Sequence, residues 1–223
     1  MQTKFLDERL TQLKSLIASM GGCAEQMLKE AGLITFDKEV NREELYKLVQ
    51  NREQEIDSLQ IRLGKHCFRV LARQAPVARD LRLVLSIISI NTALERMGDL
   101  SLNIAKKGKA LKEDPLLEIP FEKLKEMFHQ ITSMIRGCLD AFINEDDRLA
   151  REVIIQDDRA DQLKDGICVK LKECILANND LVDTCIQLVS ISEMLERLGD
   201  QATNIAEEVI FMETGRDVKH KKL

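Results

Sequence analysis

The sequence has few of the residues that interrupt helices or build aromatic binding surfaces. Among 223 residues there are three prolines, ten glycines, one tyrosine, seven phenylalanines and no tryptophan. So few aromatic residues argue against a stacking platform for single-stranded nucleic acid. The formal net charge of −5 argues against binding through nucleic-acid phosphates. We therefore expect no nucleic-acid ligand.

Long apolar runs are also missing. The first nine residues are charged from the start and contain no apolar signal region. The longest apolar zone, residues 81–94, includes Arg82 and Asn91 and is too short and too polar to span a bilayer. We expect a cytoplasmic protein that is peripheral to a membrane at most.

The six cysteines follow neither a disulfide framework nor a zinc-site pattern. None of them are spaced as CxxC, and an even number alone does not indicate disulfides in a chain of this size. Most lie within apolar helical patterns, so we interpret them as small buried apolar side chains.

Apolar periodicity of the helical type fills most of the chain, and no segment alternates with period two for long enough to form a convincing strand. The pattern predicts six helices, running approximately over residues 6–32, 37–73, 76–108, 121–144, 146–177 and 178–214. In this interpretation Gly32 ends the first helix, Pro76 occupies the first position of the third, and Gly215 stops the sixth. Two of the three prolines lie between positions 114 and 120. The predicted fold is all-α, with two tandem three-helix bundles over residues 1–112 and 113–223.

An internal repeat supports this division. The sequence ERMGDLSLNIA at 95–105 returns as ERLGDQATNIA at 196–206, 101 residues later. The repeat preserves two acids and an amide as well as apolar positions, whereas a purely structural repeat needs only the apolar ones. Carboxylates spaced i and i+4 repel each other on a helix, so keeping such a pair twice indicates a compensating ligand. A bound cation is the simplest candidate.

A second acidic pair precedes each signature. The eight acids form four pairs, which are Glu53 with Asp57, Glu95 with Asp99, Asp157 with Asp161, and Glu196 with Asp200. If the helices of the first half turn near residue 75, both of its pairs lie at a similar depth, roughly 27–36 Å from the turn at about 1.5 Å per residue. The four acids of each half can therefore converge across one antiparallel helix pair.

Carboxylates with an amide nearby form a hard-oxygen site, which suits magnesium, manganese, calcium or iron. We expect iron, manganese or magnesium, with all eight acids as ligands. Gly98 and Gly199 lie between the acids, where they would admit a neighbouring backbone or an ion. One alternative is a metal-free ionic network in which Arg96 and Arg197 pair with the acids across helices.

The paired ERxGDxxxNIA signatures, the acidic pairs and the two three-helix units together resemble the PhoU family of phosphate-transport and phosphate-signalling regulators. Residues 73–82, RQAPVARDLR, are similar to the family's RQxPxAxDLR segment. The resemblance implies multinuclear metal sites on the acidic motifs. It also implies a non-enzymatic cytoplasmic homodimer that represses phosphate uptake and phosphate-starvation signalling. Its partners would be the ATPase subunit of a phosphate ABC transporter and a phosphate sensor histidine kinase.

Two departures distinguish the halves. The second half lacks the proline and the complete DLR run, so a role of 73–82 cannot be doubled. We expect this segment either to contact a partner or only to support the helix start. Asp157 stands where the first half has Glu53, which argues against equal metal affinities. Two alternative functions remain, a carboxylate-bridged metal enzyme of the helical-bundle type and a metal-free helical adaptor.

Overall fold

The computed structural model describes residues 2–111 and 114–218, and within these ranges it contains helices and no strand. The first half comprises α1 (Gln2–Phe36), α2 (Arg42–Gln74) and α3 (Ala78–Lys109). The second half comprises α4 (Glu118–Asn144), α5 (Asp147–Ile155), α6 (Asp157–Ala177) and α7 (Val182–Thr214). The all-α prediction with two tandem bundles is confirmed. The predicted domain boundary between residues 112 and 113 falls outside the described residues.

Several helix ends are set by local sequence. Asn41 caps α2, where its side-chain oxygen accepts a hydrogen bond from the amide of Glu44 at 3.2 Å. Asp146 caps α5 in the same way through the amides of Arg148 and Leu149. Gly215 follows α7 at φ 71°, a left-handed conformation that costs glycine little. The predicted stop at Gly215 is therefore confirmed.

The first helix is longer than predicted because Gly32 does not end it. α1 continues to Phe36, and a Cβ at Gly32 would collide with the ring of Phe128 on α4. A Cβ at Gly21 would lie 2.6 Å from a methyl carbon of Leu139, also on α4. These glycines lie inside α1 because they allow the first helix of the second half to approach closely.

Two further boundaries differ from the prediction. α3 begins at Ala78 behind Val77, so Pro76 precedes the helix instead of occupying its first position. The predicted fifth helix is two helices, α5 and α6, with Gln156 between them. Gln130 of α4 donates a hydrogen bond to the Gln156 side chain at 3.3 Å. The apolar pattern continues on both sides of this break, and periodicity therefore does not reveal it.

The two halves share one apolar core. Buried side chains of both bundles form a single continuous cluster, with α3 packed against α7 and α1 against α4. The hydroxyl of Ser86 on α3 donates to the carbonyl of Glu208 on α7 at 3.3 Å. Among the described helices, none is long and apolar enough to cross a membrane.

Candidate functional site

The first acidic cluster lies where α2 and α3 run antiparallel. Asn91 of α3 donates a side-chain hydrogen bond to the carbonyl of Gln60 on α2 at 3.2 Å. Further along, a Cβ at Gly98 would lie 3.1 Å from the Cδ1 of Ile56. Ile56 lies between the acids of the α2 pair and Gly98 between those of the α3 pair. The structure therefore brings Glu53, Asp57, Glu95 and Asp99 to the same level of one helix pair.

The four carboxylates of the first cluster lie close enough to affect one another's protonation. Burial, followed by the charges of Asp57 and Asp99, raises the pKa of Glu53. Burial likewise raises the pKa of Glu95, with further contributions from Asp99, Asp57 and Glu53. Both glutamates are half-buried and both aspartates are exposed. The cluster therefore carries unfavourable negative charge at its partly buried side.

The second cluster is the counterpart of the first and lies between α6 and α7. An oxygen of Asp157 lies 3.5 Å from the position of a Cβ at Gly199, so α6 meets α7 at this glycine. Burial, followed by the charges of Asp200 and Asp161, raises the pKa of Asp157 to about 6. Burial also raises the pKa of Asp200, with Glu196 and Asp161 as the next causes. The four acids of the second half are thus close enough to perturb one another.

Lys164 distinguishes the second cluster from the first. Its ammonium group lies 2.9 Å from an oxygen of Glu196 and 3.7 Å from an oxygen of Asp161. Asp157 and Asp161 follow Glu53 and Asp57 by 104 residues, and at the same offset the residue of the first half that corresponds to Lys164 is the neutral Gln60. Sequence analysis missed this lysine, although its position three residues after Asp161 places both on one helix face. The second cluster therefore contains its own partial counter-charge.

The two glycines within the signatures admit apolar side chains. A Cβ at Gly98 would press on Ile56, and one at Gly199 would lie 3.0 Å from the Cδ1 of Ile131. The expectation that they admit a neighbouring backbone is wrong, since the nearest atoms belong to side chains. Glycine is still needed for close contact, because these distances are tighter than ordinary van der Waals contact.

The arginines of the signatures do not neutralise the clusters by direct pairing. Arg96 and Arg197 are exposed, and in the described part of the chain neither lies within 4.0 Å of a carboxylate oxygen. Their charges act only at longer range, where they lower the pKa values of Glu95 and Asp200 respectively. An ionic network built on these two arginines is therefore not the observed arrangement.

The chemistry of the donors fits a hard cation. Each half offers four carboxylates, and Asn103 and Asn204 lie exposed one turn beyond the clusters. With the side chains as they stand, no three acidic, histidine or cysteine residues within 2–111 and 114–218 converge on one ion position.

Residues 73–82 join the two halves. Arg79 donates hydrogen bonds to Glu213 and to Glu145, and Arg82 donates to the carbonyl of Met212 at 3.2 Å. Lys14 of α1 pairs with the same Glu145. Arg79 and Arg82 therefore reach into the second half and do more than support the helix start. Contact of this segment with a partner stays a prediction.

Tandem helical bundles with a repeated acidic cluster on one helix pair of each define an internally repeated all-α protein. The family model described as "PhoU domain" matches the chain twice, over residues 17–108 and 124–209. The chain belongs to the PhoU family. Members of this family are regulatory accessory proteins rather than enzymes, which confirms the non-enzymatic prediction over the carboxylate-bridged metal enzyme.

Relatives and solved structures match nearly the whole chain. A "phosphate-specific transport system accessory protein PhoU homolog" of Zymomonas mobilis is 34% identical, covering 98% of this chain and 90% of the relative. A homolog so named in Thermotoga maritima is 32% identical, with coverage of 96% and 90%. The crystal structure of PhoU from Pseudomonas aeruginosa aligns with a TM-score of 0.88 at 28% identity, covering 94% and 99%. The crystal structure of the phosphate transport system regulatory protein PhoU from Streptococcus pneumoniae aligns with a TM-score of 0.84 at 30% identity. The alignment covers 96% of this chain and 99% of that chain.

Proposed function

We propose that this protein regulates phosphate uptake as an accessory of a phosphate transport system. The observation that carries the proposal is the match along both bundles to relatives whose names assign that role. The alignments cover nearly the whole length of both this chain and the relatives, so they include both acidic clusters and residues 73–82, which join the halves. In this proposal the protein represses uptake and phosphate-starvation signalling when phosphate is plentiful.

The proposed partners are the ATPase subunit of the transporter and a phosphate sensor histidine kinase, with the protein acting in the cytoplasm as a homodimer. The long helices support this role, since they offer broad and rigid faces to other proteins. Communication between two partners further requires that a structural change in one bundle alters the other bundle. The continuous core and the α3–α7 contact support such coupling.

We also propose that both acidic clusters hold hard cations, with iron, manganese or magnesium as candidates. The carboxylates of Glu53, Asp57, Glu95 and Asp99 would hold ions in the first half. Those of Asp157, Asp161, Glu196 and Asp200 would do so in the second. The support is the position of four carboxylates at one level of each helix pair. Burial first, and the neighbouring carboxylates second, raise the pKa values of Glu53, Glu95, Asp157 and Asp200, and a cation would relieve the repulsive part. Bound ions would fix the two helices of each pair relative to one another.

The regulatory role is tested by deleting the gene and measuring a phosphate-starvation reporter in phosphate-rich medium. We expect derepression in the deletion strain and repression after return of the unaltered gene. The exposed Arg148→Gln variant, returned to the deletion strain, serves as the control, because Arg148 belongs neither to the acidic clusters nor to residues 73–82. A deletion strain with normal repression would refute the regulatory proposal.

The metal proposal has an independent test in the purified protein. Elemental analysis should find a hard cation whose content falls in the Asp99→Ala/Asp200→Ala double variant. Asp99→Ala alone should lower the metal content of the first half, and Asp200→Ala alone should lower that of the second half. Metal content that stays the same in the double variant contradicts the assignment of these ligands, whatever the reporter strain shows.

A further inference from the structure

A basic groove lies between the start of α1 and the second half of α2, away from both acidic clusters. Its volume is about 330 Å³. Leu13 and Val70, both buried, belong to its lining. The polar and charged groups around them come from two helices and include Arg9, His66, Arg69 and Arg73. The arrangement is a concave site with an apolar base and a basic rim.

The cations of this groove have no carboxylate partners. Arg9, Arg69 and Arg73 are exposed, and in the described ranges none of the three lies within 4.0 Å of an acidic oxygen. Elsewhere in the chain, Arg52, Arg79 and other cations form such pairs. These unpaired arginines surround one concave site, so they create a local positive field that favours an external anion although the chain's net charge is −5.

The positive charges around the groove also affect the protonation of His66. Burial lowers the pKa of His66, and the charges of Arg69, Arg62 and Arg9 lower it further. Arg9 belongs to α1 and the others to α2, so the positive field spans the groove from both sides. An anion in the groove would relieve this repulsion in the same way that a cation relieves it between carboxylates.

We propose that this groove binds a linear oligophosphate anion, such as tripolyphosphate. Arg62, His66, Arg69 and Arg73 follow one another at spacings of three and four residues and form one stripe along α2. His66, Arg69 and Arg73 line the groove, and Arg62 precedes them by one turn. Arg62 and Arg73 are 11 positions apart, which corresponds to about 16 Å at 1.5 Å per residue. A single phosphate group is too short to contact both ends, whereas a chain of phosphoryl groups follows the stripe.

The chemistry of the side chains favours phosphoryl oxygens. Guanidinium groups bind them through two parallel hydrogen bonds, and three of the four residues in the stripe are arginines. The guanidinium carbon of Arg9 lies 4.8 Å from the centre of the Phe5 ring and covers one face of it, which leaves less aromatic surface for a nucleobase to stack on. A flat lipid surface does not fit either, because the groove is concave and its lining includes buried residues.

The inference is tested by calorimetric titration of metal-free protein with tripolyphosphate, pyrophosphate and orthophosphate at constant ionic strength. We expect affinity to increase with chain length and to exceed that for orthophosphate by about tenfold for tripolyphosphate. The Arg69→Gln/Arg73→Gln variant should lose about tenfold in affinity for tripolyphosphate. The Arg9→Gln variant, changed on the opposite helix, should weaken binding as well.

The matched control is Arg148→Gln/Arg216→Gln, which removes two positive charges from exposed sites of the second half. It should bind as the unaltered protein does, and circular dichroism should show that all variants are folded. Equal losses in the control and groove variants would mean that only net charge matters, and would overturn the proposal. The proposal would also be overturned if tripolyphosphate did not bind or if orthophosphate bound equally tightly. Tighter binding of a glutamate-rich peptide or of anionic vesicles would overturn it as well.

Discussion

The guanidinium of Arg79 donates hydrogen bonds to both carboxylate oxygens of Glu213, at 2.9 and 3.0 Å, and so joins α3 of the first half to α7 of the second. Glu213, followed by Glu145, raises the pKa of Arg79. At the 101-residue offset of the signature repeat, the second half has Asp180 where the first has Arg79. The bridge is therefore made once, from the half that carries the RQAPVARDLR segment.

The first prediction concerns this bridge. Arg79 is more than half exposed, and exposed ion pairs contribute about 1 kcal/mol or less. Arg79→Gln should therefore lower the melting temperature by about 2–4 °C in low salt. The difference should shrink in high salt because the pair is screened. Arg148→Gln, which breaks no ion pair, should leave the melting temperature unchanged, and a salt-independent loss in Arg79→Gln would contradict the electrostatic explanation.

Metal removal should destabilise the protein. A ligand that binds only the folded state stabilises it by mass action, so chelation should lower the melting temperature and re-addition should restore it. The Asp99→Ala/Asp200→Ala variant should respond less to chelator, since it has lost one carboxylate from each cluster. Differential scanning fluorimetry with and without EDTA measures both effects. The same response in the variant and the unaltered protein would exclude these carboxylates as the ligands.

Lys164 should make the second cluster the weaker cation site. Its ammonium group pairs with Glu196 and Asp161, so an incoming cation must displace a charge that is already favourably placed. Lys164→Gln should strengthen metal binding in the second half, by about tenfold or less for one partly exposed charge. The reciprocal change, Gln60→Lys, should weaken the first cluster.

These two variants control for each other, since each converts one half toward the sequence of its counterpart. Titration calorimetry of the metal-free protein with manganese would show which of the two binding affinities changes in each variant. An unchanged affinity in Lys164→Gln would show that the lysine does not compete with the cation.

The pH dependence of stability follows from Asp157. Its pKa is raised to about 6 in the folded protein, above the ordinary value of 3.8. The neutral form is thus favoured by folding, and the metal-free protein should lose stability as pH rises from about 4 through 6. Asp157→Asn should remove part of this loss and raise the melting temperature at pH 7 by about 2–4 °C, after allowance for solvent screening. Thermal melts in EDTA between pH 4 and pH 8 test this, and parallel curves for both proteins would contradict it.

Two glycine substitutions should have opposite effects. Gly32→Ala places a methyl group against the Phe128 ring, where overpacking costs about 1–3 kcal/mol, more than the gain in helix propensity. Gly64, inside α2, has no atom within 4 Å of its Cβ position, so Gly64→Ala should stabilise by about 0.5–1 kcal/mol. Urea unfolding measures both changes. Stabilisation by both substitutions would show that α4 moves freely away from α1.

Much of the architecture follows from local sequence alone. The helical periodicity, the signature repeated after 101 residues and the stop at Gly215 each depend on neighbours within one or two turns. The equal depth of the acidic pairs on α2 and α3 also follows from the sequence, because helical rise and an antiparallel turn place equal distances at equal depth, whereas the angle at which the pairs face each other does not.

Other features were decided by tertiary structure. Gly32 lies inside α1 because Phe128 of a helix about 100 residues away needs the space, and Gln156 separates α5 from α6 without any change in the apolar pattern. Lys164 joins the second acidic cluster and Arg79 joins the halves because long flexible side chains reach neighbouring helices. Periodicity reports which face of a helix is buried, whereas contacts between particular side chains depend on the packing of whole helices, which only the folded chain establishes.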